Sequence, residues 1–131
     1  MSLDNISSES IERVYPDLVV VRGADVPGKE AFPNLTRRVL AFNDLLMVVE
    51  HTMAAGSVFP RHSHPHEQLA YLVSGRILVE CGDQAFEAVA GDSFVVRGDI
   101  EHQVTAIEHS VALDFFTPYR EDFLPWVTHR S

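Results

Sequence analysis

Four histidines are the residues in this chain best placed for chemistry. His62, His64 and His66 stand at alternate positions in one short segment, and His102 follows further along. On an extended strand, residues two apart project to the same face, so His62 and His64 can present two imidazoles to one point. Neutral imidazole nitrogens suit a borderline divalent ion such as Zn, Ni, Fe or Mn. We therefore expect a metal site built on this pair.

The residues just after this pair leave two choices open. Pro65 perturbs the backbone and a strand begins near Glu67, so the direction of His66 is open, and we place it beside the site rather than among the ligands. Glu67 and Gln68 must face opposite sides of a regular strand, so only one of them faces the interior.

A second chemically able set lies near the C-terminus. Asp114 and Phe116 share one face of a predicted strand by period two, and Arg120 follows the turn at Pro118. A carboxyl group beside a desolvated cavity can donate or accept a proton, so we expect Asp114 to be the general acid or base. The planar guanidinium of Arg120 can recognise a carboxylate through two hydrogen bonds. The structural alternatives are that Asp114 caps a turn or pairs with Arg120, and that Phe116 is ordinary core.

The elements that must position these residues read as strands. Short β-branched or apolar runs alternate with turn signals such as Ser74-Gly75 and Gly82-Asp83. We predict about eight strands: Leu18–Val21, Arg37–Phe42, Leu45–Met53, Gln68–Val73, Arg76–Cys81, Gln84–Val89, Ser93–Val96 and Ser110–Phe116. Regular short strands of this kind favour a sandwich or barrel over a layered α/β fold.

Length and composition indicate one domain. The chain has 131 residues, of which 46% are hydrophobic and 22% charged, which is typical of a single globular core. We expect a polar arm at residues 1–13, as a short helix, a frayed arm or a strand exchanged with a second subunit, and a barrel at 14–131. Its apolar tail, with Phe123, Leu124 and Trp126, would clamp onto the barrel or onto a partner subunit.

Charge and cysteine content restrict partners and compartment. A formal charge of −9 repels phosphate backbones and anionic lipids, so we expect no nucleic acid and no membrane partner. Cys81 is the only cysteine, which excludes an internal disulfide, and as a small hydrophobe it is expected to be buried. With a start rich in acids and serines and no long apolar run, these features indicate a cytoplasmic protein.

The spacing around the histidines resembles the cupin family, whose first motif is G-x5-H-x-H-x3(or 4)-E-x6-G. The matching positions here are Gly56, His62, His64, Gln68 and Gly75. Of the second motif, G-x5-P-x-G-x2-H-x3-N, only Gly91 and His102 remain. The resemblance implies an all-β, single-domain double-stranded β-helix, that is, a cupin or jelly-roll-like barrel. It also implies one divalent transition metal, with His102 as the third imidazole.

Gln68 departs from the motif's glutamate. A neutral amide can still coordinate through its carbonyl oxygen, and it leaves the full positive charge on the ion, which favours polarising a substrate over redox chemistry. We therefore take the metal ligands to be His62, His64, Gln68 and His102. The alternative is that Gln68 only binds water near the metal.

The run from Asp114 to Phe123 resembles the small pectin-degradation cupins, which convert unsaturated uronates into linear ketonic sugars. The resemblance implies a small carboxylated sugar as substrate and Asp114, Phe116 and Arg120 as cavity residues; Tyr71 would add a hydroxyl. Two alternatives stay open. An iron-dependent dioxygenase normally uses two histidines and a carboxylate, which Gln68 argues against. A non-catalytic cupin would only hold a small ligand.

The remaining features have conservative interpretations. Arg37-Arg38 is expected to be a solvated strand edge and the run Leu45–Val49 core. Three histidines show no partner pattern: His51, His109 and His129. Exposed barrel edges and the apolar tail favour a homodimer.

Overall fold

A computed structural model describes residues 17–128. Ten strands lie in this part of the chain: β1 (Lys29–Phe32), β2 (Leu35–Phe42), β3 (Met47–Met53), β4 (Val58–His62), β5 (Glu67–Ser74), β6 (Arg76–Cys81), β7 (Gln84–Val89), β8 (Ser93–Val96), β9 (His102–Ala106) and β10 (Ser110–Thr117). Two 3₁₀ helices, Gly23–Asp25 and Glu121–Trp126, flank them. No helix in 17–128 is long and apolar enough to cross a membrane.

The strands form two antiparallel sheets. The larger sheet has the order β1-β2-β3-β10-β5-β8 and the smaller one the order β4-β9-β6-β7. Strands that are distant in sequence become neighbours, since β10 lies between β3 and β5. This architecture confirms the predicted all-β, jelly-roll-like fold.

Side-chain alternation places the core between the sheets. In β3 and β10, and in β2 as far as Val39, every second residue is buried, as expected for sheets with one packed face. One buried cluster includes Leu35, Leu72 and Ile77, and a second includes Val39, Met47 and Phe116. The inward face of each strand therefore carries either core residues or the polar residues of the cavity described below.

Several strand predictions need correction. Residues Leu18–Val21 form no strand, and β1, β4 and β9 were not predicted as strands. Leu45 and Leu46 are exposed, Leu45 by 71%, because they lie in the turn before β3, whereas Met47 and Val49 are core as expected. Cys81 is half-buried rather than buried.

The apolar tail packs onto the barrel. Phe123 and Leu124 of the second 3₁₀ helix are buried against Phe116 and the ends of β2 and β3, with Trp126 partly buried beside them. Of the two predicted positions for the tail, the structure shows the one on its own barrel. The predicted polar arm at residues 1–13 lies outside the described residues, as does His129.

The turn between β5 and β6 requires glycine. Gly75 has a φ of +90°, in the left-handed region that side chains disfavour. A β-carbon at this position would also collide with Ser110 and with the backbone of His109. The last glycine of the first motif therefore lets the turn between β5 and β6 pack directly against the start of β10.

Candidate metal centre and its cavity

Strand pairing brings three histidines together. His62 ends β4 and His102 begins β9, and the antiparallel register places them directly opposite one another. His64 lies two residues beyond His62, in the loop before β5 rather than on a strand as predicted. The ring centroids are 4.3 Å apart for His62 and His102, and 5.0 Å apart for His64 and His102. One nitrogen from each ring lies within 4.8 Å of the others.

Backbone carbonyls fix the orientation of all three rings. The Nδ1 atoms of His62, His64 and His102 lie 2.7, 3.0 and 2.9 Å from the carbonyl oxygens of Pro60, His66 and Ile100. Each Nδ1 must therefore carry the proton and donate it, which leaves a lone pair on each Nε2.

The same rings leave a lone pair without a partner. The Nε2 atom of His102 is buried and has no hydrogen-bond partner within residues 17–128. A buried lone pair without a donor is costly, and a divalent cation satisfies it. Backbone bonds to the far nitrogen are also the usual support of metal-binding histidines. The three rings thus fit a transition-metal site.

Gln68 adds an oxygen to this cluster. Its Oε1 lies 3.1 Å from the Nε2 atom of His64, and both atoms are acceptors once the Nδ1 of His64 donates to the backbone. Two converging acceptors repel unless a cation lies close to both. Gln68 is buried whereas Glu67 is exposed and accepts a hydrogen bond from the Gly98 amide, which confirms that only one of them faces the interior.

Asp114 and Phe116 face the same cavity from β10. Both are buried and line it together with His62, His102, Gln68 and Arg120. The amide of Gln68 donates to Oδ1 of Asp114 at 2.8 Å, and Phe116 meets the His64 ring edge-on at a centroid distance of 5.5 Å. Their predicted inward orientation therefore agrees with the structure.

Comparisons with known proteins agree with this architecture. The family model described as the cupin domain matches residues 49–117, which is more than half of the chain. The chain belongs to the cupin family.

Several relatives of this cupin are similar along most of its length. It is 30% identical over 102 residues to the pectin degradation protein KdgF of Dickeya dadantii, covering 76% of this chain and 93% of that protein. Its structure is similar to that of KdgF from Halomonas sp., with a TM-score of 0.77 and 28% identity over 81% of this chain and 98% of the other. An RmlC-like cupin from Shewanella frigidimarina gives a TM-score of 0.76 and 31% identity, covering 79% and 94%.

Burial keeps two of the imidazoles of this cupin neutral. Loss of solvent, together with smaller contributions from the neighbouring His102 and His64, lowers the pKa of His62 from 6.5 to about 4. Burial also lowers the pKa of His64, with Arg120 as the next cause. At neutral pH both rings therefore offer a lone pair without first losing a proton, as metal binding requires.

The position of Arg37 differs from the predicted one. It was predicted on a solvated edge, but it is only 6% exposed and its Nε donates to Nε2 of His51 at 3.0 Å. Its guanidinium lies 4.1 Å from the Phe123 ring centroid and 4.8 Å from that of Trp126. Burial, and then the charge of Arg120, lower the pKa of Arg37 to about 10. The sequence signal was available, because Arg37 alternates with the buried Leu35 and Val39.

His51 also has partners that its sequence context did not show. It is 1% exposed, alternates with Val49 and Met53 on the inner face of β3, and contacts Asp114 through Nδ1 at 2.7 Å. His109 is exposed, as its lack of a partner pattern suggested. Period-two alternation could have marked His51 as inward-facing, but not its partners.

Arg120 lies at the cavity but is already partly engaged. Asp122 accepts from its Nε and Nη2 atoms at 2.9 and 2.7 Å, so the structural partner of Arg120 is Asp122 rather than Asp114. The guanidinium is 4.9 Å from the Phe116 centroid and 4.1 Å from that of Phe123.

Two further predicted residues differ in placement. His66 faces inward and is buried, and its backbone carbonyl orients His64, but it is not part of the three-histidine cluster. Tyr71 alternates with the buried Ala70 and Leu72 and is 42% exposed. Tyr71 is among the residues that line the cavity, but period two puts its side chain on the outer face of β5, so the structure does not support its hydroxyl as a cavity group.

Proposed function

We propose that this cupin binds one divalent transition metal through His62, His64, Gln68 and His102 and opens a 4,5-unsaturated uronate to its linear keto form. The observation that carries this proposal is a three-histidine cluster of which two members, His62 and His102, line one cavity together with an amide, a carboxylate and a guanidinium. The similarity to a protein named for pectin degradation supports a sugar acid as the substrate.

Each cavity residue has a task in this reaction. Arg120 would hold the substrate carboxylate through its remaining edge, and Phe116 would pack against the sugar ring. Asp114 would take the proton of the C1 hydroxyl as the C1–O5 bond breaks, and return it at C4 as the enol becomes a ketone. The reaction is an isomerisation, so no oxidant or second substrate is needed. When bound, the metal supplies a Lewis acid that stabilises charge on a sugar oxygen.

The orientation of the carboxylates supports this chemistry over dioxygenase chemistry. Glu67 faces outward, and Asp114 is bonded to Gln68 and His51 rather than joining the three-histidine cluster. The two-histidine and one-carboxylate arrangement typical of non-haem iron oxygenases is therefore not present within residues 17–128.

Loss of the ultraviolet absorbance of the conjugated double bond tests the proposal. Purified protein with a stoichiometric divalent metal should consume an unsaturated galacturonate faster than buffer does. Asp114→Asn should lower kcat by on the order of a hundredfold or more, because it removes the proton acceptor. Asp83→Asn, at an exposed turn, is the matched control and should keep full activity. A metal-loaded protein that binds the sugar without consuming it would instead indicate a ligand-binding cupin.

We also propose that two copies pack through the outer face of the larger sheet. Leu69, Tyr71 and Val73 of β5 and Val95 of β8 are each more than 40% exposed, and Leu69 and Val95 are paired across the strands. A contiguous apolar face of this kind is typical of protein interfaces. Light scattering should give twice the chain mass, and Leu69→Lys with Val95→Lys should give the monomer mass; a wild-type monomer would contradict the proposal.

A further inference from the structure

A line of buried hydrogen bonds runs behind the carboxylate of Asp114. Nε of Arg37 donates to Nε2 of His51 at 3.0 Å, and Nδ1 of His51 lies 2.7 Å from Oδ2 of Asp114. All three residues are buried. They come from adjacent strands of the larger sheet, β2, β3 and β10, where Arg37 and His51 are directly paired in the register.

The donors in this line determine the protonation of His51. An arginine side chain has donors and no acceptor, so Nε2 of His51 must carry a lone pair where it receives the Arg37 hydrogen. The ring proton is then on Nδ1, and His51 must donate it to Asp114. Arg37 is held in this position, since its guanidinium packs against the rings of Phe123 and Trp126.

Both oxygens of Asp114 are held as a result. His51 donates to Oδ2, and the amide of Gln68 donates to Oδ1 at 2.8 Å. Two donors from different strands fix the plane of the carboxylate. Asp114 is thus presented to the cavity in one orientation, as an acceptor of a further proton rather than as a mobile group.

We propose that Arg37 and His51 are positioning residues for the proton transfer assigned to Asp114. Arg37 holds His51 in the tautomer with the proton on Nδ1, and His51 in turn holds the carboxylate in its reactive orientation. The catalytic half of this inference rests on the proposed function, whereas the tautomer does not. The competing interpretation is that the three residues only stabilise the barrel.

Kinetics of four variants separate positioning from stability. Arg37→Met and His51→Ala should each lower kcat by on the order of tenfold to a hundredfold, because a misplaced reacting group costs about that much, while KM changes less than about threefold. His51→Asn, which keeps a donor near the Nδ1 position, should recover most of the loss. Arg38→Met is the control, because Arg38 is the next residue on β2 but bonds to Glu50 and to the backbone of residues 23 and 26 instead.

Nitrogen-15 NMR of the His51 ring gives a readout independent of turnover. Wild-type protein should show a protonated Nδ1 and an unprotonated Nε2, and Arg37→Met should show a mixture of both tautomers while Arg38→Met keeps the wild-type signal. A wild-type proton on Nε2 would overturn the inference, as would an unchanged kcat in His51→Ala or an equal kcat loss in Arg38→Met. If wild-type protein does not consume the uronate, the proposed function fails, and the tautomer measurement alone decides the inference.

Discussion

Replacing Gln68 by glutamate restores the residue of the family motif but places a second carboxylate against Asp114. Nε2 of Gln68 donates to Oδ1 of Asp114 at 2.8 Å, so the substitution turns a donor–acceptor contact into two facing acceptors. Two unit charges about 4 Å apart repel by about 4 kcal/mol at an effective dielectric constant of about 20, and the lost hydrogen bond adds about 1 kcal/mol. After relaxation and water entry, we expect metal-free Gln68→Glu to lose about 2–4 kcal/mol of unfolding free energy at pH 8.

Urea denaturation of the chelated protein measures this loss. The matched control is Gln103→Glu, because the amide of Gln103 also faces a carboxylate, that of Glu80 at 3.4 Å, in a partly exposed position. Solvent screening should hold the loss in the control below about 1 kcal/mol. Protonation of either buried carboxyl removes the repulsion, so the deficit of Gln68→Glu should grow as pH rises from about 5 to about 8.

Addition of a divalent metal should reverse the effect in Gln68→Glu. A carboxylate is a stronger ligand than an amide and a bound cation offsets the added charge, so the metal should stabilise this variant more than it stabilises wild type. The reasoning would be refuted by a pH-independent loss equal to that of Gln103→Glu, or by a smaller metal-induced stabilisation than in wild type. Either result would mean that Gln68 does not join the metal site to Asp114.

The three remaining predictions concern the histidines and the tail. His102→Ala should abolish stoichiometric metal binding in elemental analysis while His109→Ala keeps it; full metal content in both would contradict the site. Because the folded pKa of His62 is about 4 and the unfolded value is 6.5, the metal-free unfolding free energy should fall as pH drops from about 6.5 towards 4; a flat urea midpoint across this range would contradict it. Phe123→Ala should cost about 3–5 kcal/mol in urea denaturation, and a loss below about 1 kcal/mol would show that the tail does not pack as described.

The sequence was sufficient for the cluster of histidines because the information there is local. His62 and His64 are two residues apart, so they stay close although β4 ends at His62 and His64 lies in the following loop, and the motif spacing added His102. Their convergence needs only that β4 and β9 pair, and the register places His62 opposite His102. The inward orientation of Gln68, Asp114 and Phe116 followed from the same period of two.

The hydrogen-bond partners that link Asp114 to Arg37 could not be predicted in this way. Arg37 and His51 are 14 residues apart, and His51 and Asp114 are 63 apart, so their contacts depend on strand order and register. The sequence also favoured an exposed position for Arg37, because two adjacent arginines are usually solvated. The hydrogen bond to His51 and the rings of Phe123 and Trp126, which belong to the C-terminal 3₁₀ helix, make a buried guanidinium tolerable at this position.

The proposed ligands belong to both halves of the sandwich. His62 and His102 extend from the smaller sheet, whereas Gln68 extends from the larger one. A coordinated ion would connect the two sheets at one end of the barrel. Its loss would therefore weaken the contact between the sheets rather than unfold either of them. Amide hydrogen exchange should then slow along β4, β5 and β9 when the ion is present, while β7, which β6 separates from β9 at the edge of the smaller sheet, exchanges at an unchanged rate.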